Sequence, residues 1–116
     1  MNEEYIKRIN SILSYIDTNL SADLSLETIA KLAFYSPFHF HRLFKSITNE
    51  TLNGYVTRKR IEKTASILMH KKEISISELV LLFGFSSNSA FTRAFKKYYG
   101  QSPSDFRKSN SNSFRK

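Results

Sequence analysis

The 116-residue chain has no cysteine and no tryptophan, only three glycines and two prolines, and no long apolar run. Without cysteine, a disulfide scaffold and a thiolate metal site are both excluded. No stretch approaches the roughly 18 apolar residues of a membrane span, and an N-terminus carrying Glu3 and Glu4 does not resemble a secretory signal. The expected compartment is therefore the cytoplasm. So few glycines and prolines, with no sustained alternation of polar and apolar residues, make the pattern helical throughout. Neither a Ser/His/Asp constellation nor a glycine-rich phosphate loop is present, and His39, His41 and His70 give no triad signature. No catalytic residue, cofactor or enzyme activity is expected.

What is abundant is positive charge: 18 Lys and Arg stand against 10 Asp and Glu, a net of +8, with 16 Phe and Tyr among them. Residues 1–30 carry two bases (Lys7, Arg8) and five acids (Glu3, Glu4, Asp17, Asp23, Glu27), a balance of −3, so the remaining 86 residues carry +11. A basic body with interleaved aromatics is the electrostatic footprint of a polyanion binder, with nucleic acid ahead of an anionic membrane surface. A lysine-rich surface serving only solubility fits the same composition.

Hydrophobic spacing predicts about seven helices. Tyr5, Ile9, Ile12, Leu13 and Ile16 recur three and four apart and give a first helix from about Glu3 to Asn19. Ser25 is positioned to cap a short second helix through Ala33, and Ser36-Pro37 starts a third that runs to Thr48. A longer helix follows from Leu52 to His70. Ser75 and Glu78 form a capping box for a fifth, from Ile76 to Phe83. A sixth extends from Asn88 to Tyr99, where Gly100 stops it in a left-handed cap, and Ser102-Pro103 starts a short seventh. Met1 before an acidic helix reads as a true start. Residues 109–116, rich in Ser, Asn and charge, read as a flexible tail or a linker to a further domain.

The chain also repeats itself. At an offset of 50, Ile29, Leu32, Tyr35 and Ser36 fall on Leu79, Leu82, Phe85 and Ser86; at 51, Phe40, Arg42, Phe44 and Lys45 fall on Phe91, Arg93, Phe95 and Lys96. Each copy is a short helix, a tight turn and a second helix carrying Phe-x-Arg-x-Phe-Lys, the plan of a helix-turn-helix unit. At 100° per residue, Phe40, Leu43, Phe44 and Ile47 form one core stripe and Phe91, Ala94, Phe95 and Tyr98 the other. The opposite faces present Phe38, His41, Arg42 and Lys45 in the first copy, and Ser89, Thr92, Arg93 and Lys96 in the second, with Asn88 at the helix entrance. These are base-reading side chains: Arg forks onto guanine, Asn pairs with adenine, and Phe38 suits a thymine methyl. The expected organisation is all-α, with two helix-turn-helix subdomains joined by a long linker helix. Residues 1–50 hold the N-terminal helix and first unit, 51–71 the linker, 72–108 the second unit and 109–116 the tail. A 19-residue linker spans about 28 Å, against about 34 to 36 Å for one turn of B-DNA. One chain, acting as a monomer, is thus long enough to place two reading heads in successive major grooves.

From Leu24 to Lys108 the sequence resembles the two-headed DNA-binding domain of the AraC/XylS family of bacterial transcriptional regulators. The resemblance is carried by Gly84-Phe85-Ser86, Phe91-Thr92-Arg93-Ala94-Phe95-Lys96-Lys97, Gly100-Gln101-Ser102-Pro103 and Phe106-Arg107, with the run from Ser36 to Lys45 and Tyr55, Arg60, Ile61, Ala65 and Leu68 in agreement. It implies base contacts by Phe38, His41 and Arg42 in the first recognition helix and by Asn88, Ser89 and Arg93 in the second. Phosphates would be held at the helix starts beginning at Ser36 and Ser87. It also implies transcriptional activation, with RNA polymerase as a candidate partner, double-stranded DNA as the ligand, no membrane, and a place at the nucleoid. DNA repair by a cysteine acceptor, known in some relatives of the family, is impossible here. Phe34 departs from the pattern, because it stands where the second copy has Gly84. A bulky residue at positive φ costs on the order of 1 to 2 kcal/mol, so the first turn is expected to differ in shape.

Other assignments compete at several residues. His39 and His41 lie about 200° apart on a helix, which does not suit a shared metal. Phe44, Phe95 and Tyr98 read as core and Tyr99 as a residue outside the stripe, although all four are shapes on which single-stranded bases stack. Arg58, Lys59, Arg60 and Lys63 suit a phosphate-tracking face or a solvated one equally, and Arg60, at the edge of the apolar stripe, suits a structural ion pair as well as DNA contact. The alternative to a sequence-specific regulator is a basic helical module that binds a protein or an anionic surface without sequence preference.

Overall fold

The computed structural model describes residues 2–71 and 73–113. Seven helices and no strand occur among them: α1 (Glu3–Thr18), α2 (Leu26–Leu32), α3 (Pro37–Thr48), α4 (Leu52–His70), α5 (Ile76–Leu82), α6 (Asn88–Tyr99) and α7 (Pro103–Ser113). None of these helices is long and apolar enough to cross a membrane. The chain divides into a unit of residues 1–57 and a unit of residues 58–116. The division falls inside α4, within the 51–71 span read from the sequence as a linker. The reason lies in the helix's apolar positions: Leu52, Tyr55 and Val56 are buried in the core of the first unit, leaving Ile61, Ala65 and Leu68 to the second.

Each helix starts where a side-chain oxygen replaces a missing intrahelical acceptor. Asn2, Ser25, Ser36, Ser75 and Ser87 accept from the backbone N–H groups of Glu4, Thr28, His39, Glu78 and Ala90. In the first unit Ile9, Ile12 and Ile16 pack from α1 against Ile29 and Ala30 of α2 and Phe40, Leu43 and Phe44 of α3. The Tyr55 hydroxyl donates to Asp17 at 2.8 Å, tying the start of α4 to α1. The second unit is aromatic: Phe91 lies 5.0 Å from Phe85 and 5.8 Å from Phe95, and Phe106 of α7 closes on Phe95 at 5.2 Å. Burying one such ring fully is worth roughly 1.5 to 3 kcal/mol.

Among the described residues four adopt positive φ, in two matched pairs. Phe34 (φ +62°) and Gly84 (φ +72°) turn between the helices of each unit, and Asn49 (φ +66°) and Gly100 (φ +74°) end α3 and α6. The first turn therefore keeps the shape of the second, contrary to the expectation drawn from Phe34. Tyr35 N–H reaches Ala30 O and Phe85 N–H reaches Val80 O, each at 3.0 Å. The Phe34 ring meets no packing obstacle in this conformation, being 85% exposed.

Two further expectations change. Tyr98 is 40% exposed, with Lys97 Nζ 5.7 Å from its ring, and Tyr99, though 37% exposed, is the one whose ring stacks on Phe95 (4.9 Å) and lies beside Phe106 (5.2 Å). Burial, with Glu62 nearby as the lesser cause, pushes the Tyr99 hydroxyl above the ordinary tyrosine value. In α7 the helix continues through 109–113, residues read from sequence as tail. Ser109 Oγ and Asn110 Nδ2 donate to the carbonyls of Asp105 and Phe106 one turn back, at 3.0 and 2.8 Å. Residues 114–116, the remainder of that tail, and Met1 lie outside the described residues.

Candidate nucleic-acid interface

In the first unit the outward face of α3 is built on a fixed start. Ser36 Oγ accepts from His39 N–H at 3.1 Å and Pro37 occupies the first helical turn, where its missing N–H is no loss. Burial of Phe40, Leu43 and Phe44 then dictates which residues turn outward, leaving Phe38, His41, Arg42 and Lys45 exposed. Phe38 is 71% exposed, and the Arg42 guanidinium carbon lies 5.7 Å from its ring centroid. His41 borders a cleft of about 310 Å³ with the starts of α2 and α4, among Leu24, Ser25, Leu26, Thr51, Leu52 and Asn53.

The turn before α3 is held from behind by a residue the sequence did not single out. Arg8 of α1 donates to the Ala33 carbonyl at 3.4 Å, lies 5.0 Å from the Tyr35 ring, and pairs with Glu4 at 3.1 Å. Tyr35 in turn sits edge-on to His39 (5.0 Å) and Tyr5 (6.1 Å). His39 is thereby part of an aromatic cluster facing α1. No helical wheel of α2 or α3 alone reports a cation arriving from 25 residues away.

The second unit repeats the arrangement with different chemistry. Ser87 Oγ accepts from Ala90 N–H at 3.0 Å, and Phe91 and Phe95 face inward. Asn88, Ser89, Arg93 and Lys96 are exposed, while Thr92, expected on the same face, is half-buried. Asn88 Nδ2 donates to Ser77 Oγ of α5 at 3.3 Å, so a short side chain at the helix entrance is oriented by the preceding helix. The turn again has an arginine beside it: Arg60 Nη1 lies 3.7 Å from where a Cβ on Gly84 would stand. This placement favours the structural role for Arg60. Arg58 and Lys59, grouped with it by sequence, share Glu62 on their own helix at 3.3 and 3.7 Å. Exposed pairs of this kind contribute little stability.

Two outward helix faces, each carrying an exposed arginine and a lysine one turn later, suit major-groove reading with phosphate contact. Comparison with known proteins points the same way. A family described as a helix-turn-helix domain matches residues 29–109. The chain is 38% identical over 101 residues to a protein described as probable transcription factor PqrA of Proteus vulgaris, covering 85% of this chain and 82% of that one. It is 34% identical over 101 residues to the right origin-binding protein of Escherichia coli (strain K12), covering 87% of this chain but only 35% of that protein's length. Among solved structures, the DNA-binding domain of AdpA, a global transcriptional factor in complex with a target DNA, superposes with a TM-score of 0.76 at 25% identity, covering 87% of this chain and 90% of that one.

Proposed function

Because this chain belongs to the AraC/XylS-type helix-turn-helix family, whose members are DNA-binding transcription regulators and not enzymes, we propose that it binds an asymmetric duplex site through two recognition helices, α3 and α6, in successive major grooves. Phe38, His41 and Arg42 read bases in one half-site, and Asn88, Ser89 and Arg93 read the other, with Thr92 at the edge of the second set. Lys45, Lys96 and the helix starts at Ser36 and Ser87 hold phosphates. The protein acts in the cytoplasm, at the nucleoid, as a monomer on its site, and activates transcription with RNA polymerase as the partner.

The observation that carries this reading is the duplication: two outward faces on two units, matched down to their positive-φ turns at Phe34 and Gly84. The 19 residues of α4 support the spacing, since they measure about 28 Å along the axis. Selection of binding sites from a random duplex library tests the reading. The expected product is a non-palindromic site with two conserved blocks, bound one-to-one. Inserting about five base pairs between the blocks rotates one of them to the far side of the duplex and should reduce affinity to that of a single unit. A specificity ratio near one on selected against random duplexes would instead identify a non-specific basic module. Unchanged one-to-one affinity on the lengthened site would limit reading to one head.

A further inference from the structure

The two units are duplicates in fold but not in how their arginines are held. In α3 the Arg42 guanidinium carbon lies 5.7 Å from the centroid of the Phe38 ring, one helical turn earlier. The ring is 71% exposed, so packing of the unit's core does not explain its position. It stands in the first turn of the helix, directly after Pro37 and the Ser36 cap that accepts from His39 N–H. Among the described residues Arg42 has no acidic partner. The repeat places Ser89 where α3 has Phe38, and Arg93 where it has Arg42. A serine offers no π face, and α6 therefore has no aromatic platform four residues before its arginine.

We propose that Phe38 is a positioning residue for Arg42, holding the guanidinium on the outward face of α3 so that the first unit reads its base pair with a preordered arginine while the second unit reads with an unordered one. This rests on the DNA-reading role assigned above and adds a division of labour to it. A free arginine loses much of its rotamer entropy when it docks bidentately on guanine. A ring that already confines the side chain by a cation–π contact removes part of that loss before binding. The same ring keeps the guanidinium plane, and with it the fork of donors, from turning toward other acceptors. The first half-site should then show sharper discrimination at its arginine-read base pair than the second.

The test uses the full chain and a duplex obtained by site selection, with all four base pairs placed in turn at each position. Four proteins are compared with wild type: Phe38→Leu, which keeps apolar bulk without a π face, Phe38→Tyr, which keeps the ring, Arg42→Ala, and the Phe38→Leu/Arg42→Ala double variant. Phe38 is exposed, so the variants should share one thermal midpoint. Phe38→Leu is expected to lose about 2- to 5-fold in affinity and to flatten discrimination at the one base pair that Arg42→Ala also flattens. Phe38→Tyr should retain both, and in the Arg42→Ala background Phe38→Leu should cost clearly less than in wild type, leaving only what the ring's own base contact contributes. Equal losses for Phe38→Leu with and without Arg42 would show that Phe38 acts only through its own contact and not through Arg42, and would overturn the proposal. So would a Phe38→Leu protein indistinguishable from wild type, or a Phe38→Tyr protein as impaired as Phe38→Leu. A wild-type chain without any sequence preference would remove the reading beneath the proposal, a result distinct from all of these.

Discussion

At Phe34 an L-residue with a large side chain occupies a backbone conformation that Gly84 occupies without cost in the other unit. The left-handed region brings Cβ against the following carbonyl at about 1 to 2 kcal/mol, and glycine's extra freedom in the unfolded chain returns part of that difference. Replacing Phe34 with Gly should therefore stabilise the protein by about 0.5 to 1 kcal/mol, since the 85% exposed ring contributes little packing. Gly84→Ala should destabilise by about 1 to 2 kcal/mol, because Arg60 Nη1 leaves ordinary room for the new carbon and only the backbone objects. Urea titration measures both, and a Phe34→Gly protein weaker than wild type would show that the ring is held by something other than the turn. On the reading face, Arg93→Ala should weaken specific binding by about 1 to 3 kcal/mol and relax preference at one base pair. Retained affinity together with retained base preference would remove Arg93 from the interface.

Helix α5 shows how an element's stability is written at its first turn. Ser75 N–H donates to Glu78 Oε1 and Glu78 N–H donates to Ser75 Oγ, both at 3.0 Å, closing the box expected from the sequence. The Ser75 backbone N–H, followed by its hydroxyl, holds the Glu78 carboxyl below the ordinary glutamate value. Since the folded value is the lower one, the ionised carboxylate stabilises the fold above the unfolded value, about 4.3, and that contribution is lost as pH falls through the folded value. Glu78→Gln keeps a box-forming side chain without the titration. Between about pH 5 and pH 3 the wild-type thermal midpoint should fall more than that of Glu78→Gln, and superimposable pH profiles would exclude the linkage. In each unit an arginine from the preceding long helix stands at the turn, Arg8 on the Ala33 carbonyl and Arg60 beside Gly84. A cation at a helix C-terminus answers the partial negative charge of the last carbonyls.

Taken over the whole chain, the positive charge belongs to one unit. Residues 1–57 hold five Lys and Arg against six Asp and Glu, a balance of −1, whereas residues 58–116 hold thirteen against four, a balance of +9. On the proposed DNA-binding role, the first unit would thus depend on a few local side chains and the second would supply most of the attraction to a polyanion. Affinity for duplex DNA should fall with salt at a logarithmic slope of about −5 to −9, as for about 6 to 10 neutralised phosphates. Lys96→Ala should lower that slope by about one on any duplex sequence. A shallow wild-type slope would contradict a two-headed groove binder.

The sequence by itself determined the helices, their starts and the duplicated plan, because these are local. A cap such as Ser36 or Ser87 acts within three residues, and a stripe such as Phe40, Leu43 and Phe44 follows from 100° per residue. Outward residues such as Arg42 and Arg93 were legible as the complement of those stripes. Tertiary structure alone decided which side chains from distant elements arrive at them. Arg8 reaches the α2 carbonyl across 25 residues, Tyr55 reaches Asp17 across 38, and Ser77 orients Asn88 across a turn. Periodicity favoured Tyr98 for the core, yet Tyr98 and Tyr99 are about equally exposed and it is Tyr99 whose ring meets Phe106 of α7. The same holds for Phe34, whose φ was open from sequence until Tyr35 N–H and Ala30 O closed the turn around it. A wheel gives the direction in which a side chain leaves its own helix, but the neighbour it meets is set by where another helix packs, and that depends on contacts between residues far apart in the chain.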